Sequence, residues 1–266
     1  MTTNANHAGI ALVTGATSGI GAEFARQLAA KGHDLVLVAR TRNRLDGVAA
    51  SLSAEYPVRV EVIAADLTVS EDLAAVEARV AARESPIEVL VNNAGFGLLR
   101  PFDENPIGLE QQHLDLLVTV PMRLSHAALG QMVRRRSGTI INIASVAGFT
   151  PRGTYGAAKA WLISFSRWAN IHYRGRGITV TAVAPGFVRT GFHERMDVRT
   201  DTVPAVLWLS ADTVVRLALL DVARGRGVSI PTLRYKVIVG FSRLLPPRVV
   251  AAGALKRRPA GVTPAQ

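Results

Sequence analysis

The sequence IALVTGATSGIG, residues 10–21, decides the fold of this chain. Ile10–Thr14 is a short apolar run, and residues 20–31 carry Phe24 and Leu28 at helical spacing before Gly32 ends the pattern. A glycine-rich turn joins the two segments. The stretch therefore predicts a strand, a tight turn and a helix, an arrangement that binds nucleotide phosphates at the start of the helix.

Three glycines of this turn each have a physical reason to be there. Gly15 permits the tight turn, Gly19 lets a phosphate approach the backbone, and Gly21 lets the helix pack on the strand. The spacing G-x-x-x-G-x-G differs from the commoner G-x-G-x-x-G, and a plain loop is the alternative. The flanking strand and helix favour a pyrophosphate site, whose remaining turn residues are Thr17, Ser18 and Ile20.

Strands and helices are predicted to alternate along the rest of the chain. Strands are expected at 35–39, 58–63, 87–91, 139–144, 178–184 and 227–230, and helices at 41–56, 71–83, 106–135, 155–173 and 213–224. This alternation is typical of a doubly wound parallel sheet, an α/β Rossmann fold in a single domain. We expect a flexible N-terminus over 1–9, the domain over 10–230 with a substrate insertion at about 187–212, and a basic, partly apolar tail over 231–266.

Composition excludes several classes of site. The 266 residues are 48% hydrophobic and 19% charged, which suits one large packed domain. The chain has no cysteine, which excludes disulfides, zinc–thiolate sites and a cysteine nucleophile and fits a reducing, cytoplasmic location. We predict no secretion signal in the first nine residues, no membrane-spanning run of about 18 apolar residues, and no metal site, because the histidines lack ligand spacing.

The net charge of +11 is concentrated towards the C-terminus. After Asp221 no acidic residue occurs, whereas nine lysines and arginines do. Such a segment suits an acidic lipid surface, nucleic acid or an anionic substrate carrier, and a solvated basic face is an equally good interpretation. Because apolar residues are interspersed over 233–258, peripheral membrane contact is one hypothesis. No recognition helix or aromatic platform supports a nucleic-acid partner.

Arg40 indicates which nicotinamide cofactor the fold would take. It directly follows the predicted second strand, where an acidic residue would bind the ribose 2′-hydroxyl of NAD. A guanidinium there suits the 2′-phosphate instead, because it is permanently charged and donates two parallel hydrogen bonds. The sequence therefore favours NADP(H) over NAD(H). Arg42 and Arg44 are possible helpers or ordinary helix-surface residues.

Six motifs together resemble the short-chain dehydrogenase/reductase family, from about residue 10 to residue 230. They are the glycine turn, Asp66-Leu67, Asn92-Asn93-Ala94-Gly95, Ser145, Tyr155-Gly-Ala-Ala-Lys159 and Pro185-Gly186, in the family's order. The resemblance implies an NADP(H)-dependent oxidoreductase that interconverts a carbonyl and an alcohol.

The resemblance also implies cofactor contacts. Asp66 would bind the adenine amino group with Leu67 beside it, and Asn93, Ala94 and Gly95 would line the adenosine and stabilise the central strand. The nicotinamide end would be held by Pro185, Gly186, Val188 and Thr190. Taken singly, Asp66 is also explained as a turn or helix-cap acid, and Asn92–Gly95 as a strand-end turn.

Tyr155 and Lys159 are the predicted catalytic pair. Residues four apart on a helix share a face, so the Lys159 ammonium is expected beside the Tyr155 phenol, where a positive charge would lower its pKa. Tyr155 would then donate a proton to a carbonyl oxygen or take one from an alcohol. By resemblance, Ser145 would polarise the same carbonyl and Lys159 would bind the nicotinamide ribose.

Two departures from the family pattern are visible. Leu117 stands where the family usually has an asparagine that holds a water leading to the lysine. We expect that relay to be absent or rebuilt by a neighbour such as Thr119 or His113. The connection between Ser145 and Tyr155 is also short, which predicts a wider or differently shaped mouth of the substrate pocket.

The predicted substrate is hydrophobic: an acyl, lipid or steroid-like carbonyl compound or alcohol. Apolar side chains for such a pocket are Phe96, Leu98, Leu99, Phe102, Phe187, Phe192, Met196 and Trp208, although core packing explains them equally well. By resemblance, the helix that carries Trp161 and Phe165 would pair with its twin in a homodimer or homotetramer. The alternative to an enzyme is a nucleotide-sensing or scaffolding protein, which Leu117 favours and intact Ser145, Tyr155 and Lys159 oppose.

Overall fold

One parallel sheet of seven strands runs through the domain. The computed structural model describes residues 8–98, 100–191, 203–242 and 244–252. The strands are β1 Ile10–Thr14, β2 Asp34–Ala39, β3 Val60–Ala64, β4 Ile87–Asn92, β5 Gly138–Ile143, β6 Ile178–Val183 and β7 Val228–Ser229. Their order is β3-β2-β1-β4-β5-β6-β7, so the winding direction reverses between β1 and β4. This confirms the predicted doubly wound α/β fold, whose ligands bind at that reversal.

Helices cover both faces of the sheet. They are α1 Gly19–Ala29, α2 Arg42–Glu55, α3 Ser70–Ala81, α4 Ile107–Leu114, α5 Val120–Arg135, α6 Gly153–Arg174, α7 Ala211–Ala223, α8 Leu233–Ser242 and α9 Pro247–Ala252. Side chains of a strand alternate between faces. Val13 accordingly packs with Phe24 of α1 in one core, and Leu12 packs with Val76 of α3 and Leu124 of α5 in the other.

The predicted helix over 106–135 is helical over 107–135, but one of its turns is not α-helical. A π-helical segment, Asp115–Thr119, separates α4 from α5 and contains Leu117. The physical reason is Pro121, near the start of α5. Proline has no N–H to donate to the carbonyl four residues earlier, which here is that of Leu117, and its ring clashes with that carbonyl. The wider turn relieves this conflict, and such turns occur often at functional sites.

The two ends of the segment between β6 and α7 that the structure describes pair with each other. Val188 and Leu209 form a parallel bridge, and the N–H of Leu209 donates to the carbonyl of Phe187 at 2.8 Å. Leu99, Phe192, Met196 and the final basic residues 256–258 lie outside the described residues, so the predictions made for them stay untested. Among the described helices, none is both long and apolar enough to cross a bilayer.

Candidate active site

The glycine turn between β1 and α1 has the backbone that a phosphate site needs. Gly15 and Gly19 adopt positive φ angles of 65° and 57°, which side chains rarely tolerate. A Cβ atom at Gly21 would lie 2.3 Å from the carbonyl oxygen of Gly15, so only glycine fits there. Ser18, at the N-cap of α1, makes no capping hydrogen bond with its side chain. The turn therefore fits a dinucleotide pyrophosphate.

The switch point between β1 and β4 is fixed by Thr14 and Asn93. The Thr14 hydroxyl accepts hydrogen bonds from the backbone N–H groups of Asn93 and Ala94, at 2.9 and 3.0 Å. The Asn93 amide donates to the carbonyls of Thr14 and Gly15, at 2.8 and 3.2 Å. These bonds hold the glycine turn against the end of β4. Asn93 therefore has a structural task here in addition to any contact with adenosine.

The end of β2 gives Arg40 and Arg42 different surroundings. Arg40 is exposed and close enough to Asp66 to influence its charge. Burial acts to raise the pKa of Asp66, but hydrogen bonds from Thr68 and the charge of Arg40 outweigh it and lower the pKa. Arg42 instead pairs with Asp46 at 3.0 Å, as a helix-surface residue does. Arg40 thus remains the better candidate for a 2′-phosphate.

Leu67 and Arg44, also named from the sequence, lie near Asp66 and near the glycine turn respectively. Leu67 is buried next to Asp66, whose carboxylate forms a turn with the N–H and hydroxyl of Thr68. Arg44 lines a cavity of about 530 Å³ together with Thr17 and Gly19. Asp66 is therefore a turn residue in this structure, and an adenine contact by it stays a prediction.

The structure brings Ser145, Tyr155 and Lys159 together. Ser145 follows β5, and its Oγ accepts a hydrogen bond from the N–H of Ala147 at 3.1 Å. Tyr155 and Lys159 share one face of α6, and Tyr155 forms a side-chain hydrogen bond with Ser145. The Lys159 amine donates to the carbonyl of Ile143 at 2.7 Å and lies 5.6 Å from the centre of the Tyr155 ring.

Burial dominates the electrostatics of this trio. It raises the pKa of Tyr155 to about 12, and the hydrogen bond with Ser145 opposes this only in part. Burial also lowers the pKa of Lys159 to about 7. The expected acidic phenol is therefore corrected: a low-dielectric interior disfavours both the phenolate and the ammonium. In this structure Tyr155 is a neutral hydroxyl at pH 7, able to donate a proton.

A residue that the sequence reasoning missed, Tyr235, holds the loop after β6. Its ring lies against Gly186, where a Cβ atom would be 1.8 Å from Cζ of the tyrosine. Its hydroxyl donates to the carbonyl of Leu207 at 2.7 Å and accepts from the N–H of Phe187 at 2.9 Å. The sequence did carry a signal for this: Tyr235 and Val239 are four residues apart within the basic tail, a spacing that places both on one face of a helix. Both are buried in the structure.

Three other residues of this loop, Pro185, Val188 and Thr190, were also predicted to hold the nicotinamide end. Pro185 accepts a hydrogen bond from the N–H of Val146, which links the loop to the Ser145 turn. Val188 is buried with Leu209 and Tyr235. The Thr190 methyl group would lie 3.0 Å from a Cβ atom at Gly19, so this loop faces the glycine turn. The two predicted cofactor loops are therefore neighbours.

A buried polar chain crosses the strands beneath the site and was also missed. Asn92 donates to Asn142 at 2.8 Å and to Ser125 at 3.3 Å, and Asn142 donates to Ser166 at 2.9 Å. The sequence signal was Asn142, a polar residue inside the apolar strand β5. These bonds tie β4 and β5 to α5 and α6.

Leu117 lies close to Lys159, the lysine predicted to be catalytic. It is buried, with Cδ2 2.7 Å from the place a Cβ atom would take on Gly95, and that place is 4.0 Å from Nζ of Lys159. Of the two neighbours considered for a rebuilt relay, Thr119 bonds Asp115 at 3.2 Å. His113 instead lies beside the site, its ring centre 6.1 Å from that of Tyr155.

The predicted apolar pocket is present only in parts. Phe187 packs on Trp208, with ring centres 5.6 Å apart, and Phe96 packs edge-on against His113 at 5.3 Å. Phe102 is 62% exposed. Phe96 is thus linked to Tyr155 through the ring of His113, and Phe187 belongs to the apolar cluster that includes Val146.

Comparison with known proteins agrees with this geometry. The family model described as short chain dehydrogenase matches residues 9–200. The very-long-chain 3-oxoacyl-CoA reductase of Anas platyrhynchos is 34% identical over 187 residues, which is 68% of this chain and 60% of that protein. The chain therefore matches well under two thirds of that relative's length.

Solved structures match over nearly the whole chain. A short-chain dehydrogenase from Sphingobium yanoikuyae in complex with NADPH has a TM-score of 0.81 and 35% identity, covering 95% of this chain and 99% of that one. The bulky-bulky ketone specific alcohol dehydrogenase from Comamonas testosteroni has a TM-score of 0.78 and 33% identity, covering 97% and 98%. This chain belongs to the short-chain dehydrogenase family.

Proposed function

We propose that this protein reduces a carbonyl group, or oxidises the corresponding secondary alcohol, with NADP(H) as cofactor and Tyr155 as the acid or base. The observation that carries the proposal is the cluster of the half-buried Ser145 and Tyr155 with the buried Lys159, side by side beyond the glycine turn. A bound nicotinamide supplies or accepts the hydride. The protein supplies binding, orientation and the proton.

Each member of the cluster has a distinct task in this proposal. Ser145 donates a hydrogen bond to the carbonyl oxygen, which draws electrons towards that oxygen. Tyr155, a neutral phenol at pH 7 whose pKa burial raises further, donates its proton to the same oxygen as negative charge develops there. Lys159 binds the nicotinamide ribose and favours the phenolate left behind, since its amine lies beside the ring.

NADP(H) is the proposed cofactor because the chain offers partners for each of its parts. The turn over residues 15–21 suits the pyrophosphate, and Arg40 suits the 2′-phosphate. We assign the adenosine to Asp66, Leu67, Asn93, Ala94 and Gly95, and the nicotinamide end to Pro185, Gly186, Val188 and Thr190. The similar Sphingobium yanoikuyae structure contains NADPH, which supports this choice.

The proposed substrate is a hydrophobic carbonyl compound. Two relatives support this: one is named a very-long-chain 3-oxoacyl-CoA reductase and the other a bulky-bulky ketone specific alcohol dehydrogenase. The aromatic pair Phe187 and Trp208 and the short connection from Ser145 to Tyr155 fit a wide, apolar mouth. A strict preference for small over bulky ketones, measured as kcat/KM, would argue against it.

A carbonyl screen that follows NADPH absorbance tests the reaction itself. Tyr155→Phe should lower turnover by roughly a hundred- to ten-thousandfold while NADPH still binds. Tyr173→Phe, a change of the same kind on the same helix, is the matched control. Equal activity of wild type and Tyr155→Phe would refute the assignment. NADPH binding with no turnover of any carbonyl would favour the alternative, a nucleotide-sensing or scaffolding protein.

We also propose a homodimer or homotetramer that assembles through α6. Trp168 and Ile171 are 53% and 81% exposed on this helix, and exposed apolar clusters commonly mark interfaces. Sedimentation velocity checks this, with Ile171→Asp expected to shift the protein towards the monomer. A monomeric wild type at micromolar concentration would contradict it.

Peripheral contact with an anionic membrane is the proposed role of the basic tail. Leu233, Val237 and Phe241 are exposed at helical spacing on α8, on the side opposite to the buried Tyr235 and Val239. A second copy would bring like charges, since no acid follows Asp221, whereas anionic lipids neutralise them. We propose that the enzyme works in the cytoplasm, at such a surface.

Vesicle flotation tests the membrane contact. We expect binding to phosphatidylcholine vesicles with 30% phosphatidylserine at low salt, weaker binding at high salt, and none to phosphatidylcholine alone. Phe241→Ser should weaken binding, and Ile107→Ser, an exposed apolar residue elsewhere, should not. No binding at low salt ends the hypothesis, as does an oligomer that only Phe241→Ser dissociates.

A further inference from the structure

His113 is a buried side chain that the proposed mechanism does not use. It is only 1% exposed, and its ring lies between those of Phe96 and Tyr155, with centres 5.3 and 6.1 Å away. The backbone of Phe96 hydrogen-bonds the imidazole. The other nitrogen, Nε2, is buried and has no hydrogen-bond partner among the described residues. Native interiors rarely leave such an atom unpaired without a reason.

The protonation state makes Nε2 an acceptor. Burial lowers the pKa of His113 to about 4, helped by the charge of Lys159 and opposed by Glu110 and by the Phe96 hydrogen bond. A neutral imidazole has one N–H donor and one acceptor nitrogen. Because the N–H donates to the carbonyl of Phe96, Nε2 carries the lone pair. A group with so low a pKa seldom carries a proton at neutral pH, so His113 is poorly suited to rebuild the proton relay.

Two charged groups act on His113: Glu110, a carboxylate that accepts hydrogen bonds, and Lys159, whose amine already donates to the carbonyl of Ile143. On the same face of α4, Glu110 is buried, with Oε1 accepting from Asn105 at 2.7 Å and Oε2 unpartnered among the described residues. The ring itself is flanked by Phe96 and Tyr155, whose hydroxyl is bonded to Ser145. The lone pair of Nε2 lies in the plane of the ring, where it can accept from a donor that arrives with a ligand.

We propose that Nε2 of His113 accepts a hydrogen bond from a donor on the substrate, a hydroxyl or amide N–H close to the carbonyl that Tyr155 protonates. This inference rests on the proposed function and deepens it. It makes His113 a specificity-determining residue and the favoured substrates hydroxy- or amido-substituted ketones. A site built to bind a donor discriminates against analogues that lack it, because its buried acceptor is then left unpaired.

The experiment compares ketones that differ in one donor. 2-Hydroxyacetophenone is paired with 2-methoxyacetophenone, and 3-hydroxypropiophenone with its methyl ether, so that the electronic effect of oxygen is shared. We expect wild type to prefer the hydroxyl member of at least one pair roughly tenfold or more in kcat/KM. His113→Phe keeps a ring but no acceptor and should abolish the preference. His113→Gln keeps an acceptor and should retain part of it.

Each other outcome is informative. No preference in wild type for either pair overturns the inference, even if His113→Phe does not fold. An equal loss of activity on both members in His113→Phe, with an unchanged ratio, also overturns it, since that indicates a structural or water-binding role. Tyr155→Phe separates the two proposals: if it retains turnover, the proposed function fails; if it is inactive while the hydroxyl preference survives in His113→Phe, only the role of His113 fails.

Discussion

Nζ of Lys159 lies 5.6 Å from the centre of the Tyr155 ring, on one face of α6, where Lys159 is buried and Tyr155 is half-buried. The proximity that the four-residue spacing predicts is therefore present. Its electrostatic consequence differs from the expectation, because burial penalises the charged form of each group more than their proximity helps. The lysine amine donates one hydrogen bond to the carbonyl of Ile143.

The lowered pKa of Lys159 predicts how stability depends on pH. The folded protein releases this proton near pH 7, whereas the unfolded chain keeps it until about 10.5. Between these values the unfolded state binds more protons, so the free energy of unfolding should rise with pH, by at most about 1.4 kcal/mol per unit. Urea unfolding at pH 7, 8 and 9 should show a smaller rise for Lys159→Met. Lys31→Met is the exposed control, and equal slopes for wild type and Lys159→Met would contradict the prediction.

Arg40 should set the choice between NADPH and NADH. Hydrogen bonds to a charged group contribute about 1.5–3 kcal/mol, so Arg40→Ala should reduce the ratio of kcat/KM for NADPH to that for NADH roughly 10- to 100-fold. Arg42→Ala is the control, because Asp46 already pairs with that guanidinium. A ratio that changes equally in both variants would remove Arg40 from the cofactor site.

Tyr235→Phe should destabilise the loop that carries Gly186. The ring would still pack on the glycine, but the hydrogen bonds with Phe187 and Leu207 would be lost. We expect the free energy of unfolding to fall by about 1–3 kcal/mol and the KM for NADPH to rise. Tyr56→Phe, which removes an exposed hydrogen bond to Glu55 and a long one of 3.4 Å from Arg26, should change both far less. An unchanged free energy of unfolding and an unchanged KM in Tyr235→Phe would show that the loop does not depend on these two hydrogen bonds.

Asn142→Val should cost about 1–3 kcal/mol of stability, because the buried Asn92 amide then keeps only its 3.3 Å bond to Ser125 and the buried Ser166 hydroxyl loses the donor Asn142. The double variant with Asn92→Leu should recover part of this loss, since fewer buried polar groups then remain unpaired. Denaturant unfolding of both variants measures this. Strictly additive losses would mean that the two asparagines act independently.

Much of the fold could be predicted because local patterns and burial agree. The spacing of apolar residues places β1 at Ile10–Thr14, where the structure has it, and the other strands within two residues. Strands buried on both faces read as continuous apolar runs, which few other structures produce. The π-helical turn at Asp115–Thr119 was not predicted, because the helical spacing of apolar residues continues across this turn. Pro121 is the residue that indicates the turn.

The residues of the candidate site also fall into two groups, those that the sequence could predict and those that only the structure reveals. Residues that act through backbone shape or through neighbours along one helix, such as Gly15, Gly21, Tyr155 and Lys159, are visible in the sequence because spacing alone brings them together. Tyr235, His113 and the partners of Asn92 come from segments distant along the chain. Their contacts with Gly186, Tyr155 and Asn142 depend on how helices dock on the sheet.

The sequence by itself determined the alternation of strands and helices, the glycine turn and the shared face of Tyr155 and Lys159, since each follows from local geometry. Only the tertiary structure decided the charge states of the site. A pKa depends on how much solvent the packed chain excludes, and no local pattern records that. Burial raises the pKa of the already neutral Tyr155, makes Lys159 easy to deprotonate and leaves His113 an uncharged acceptor.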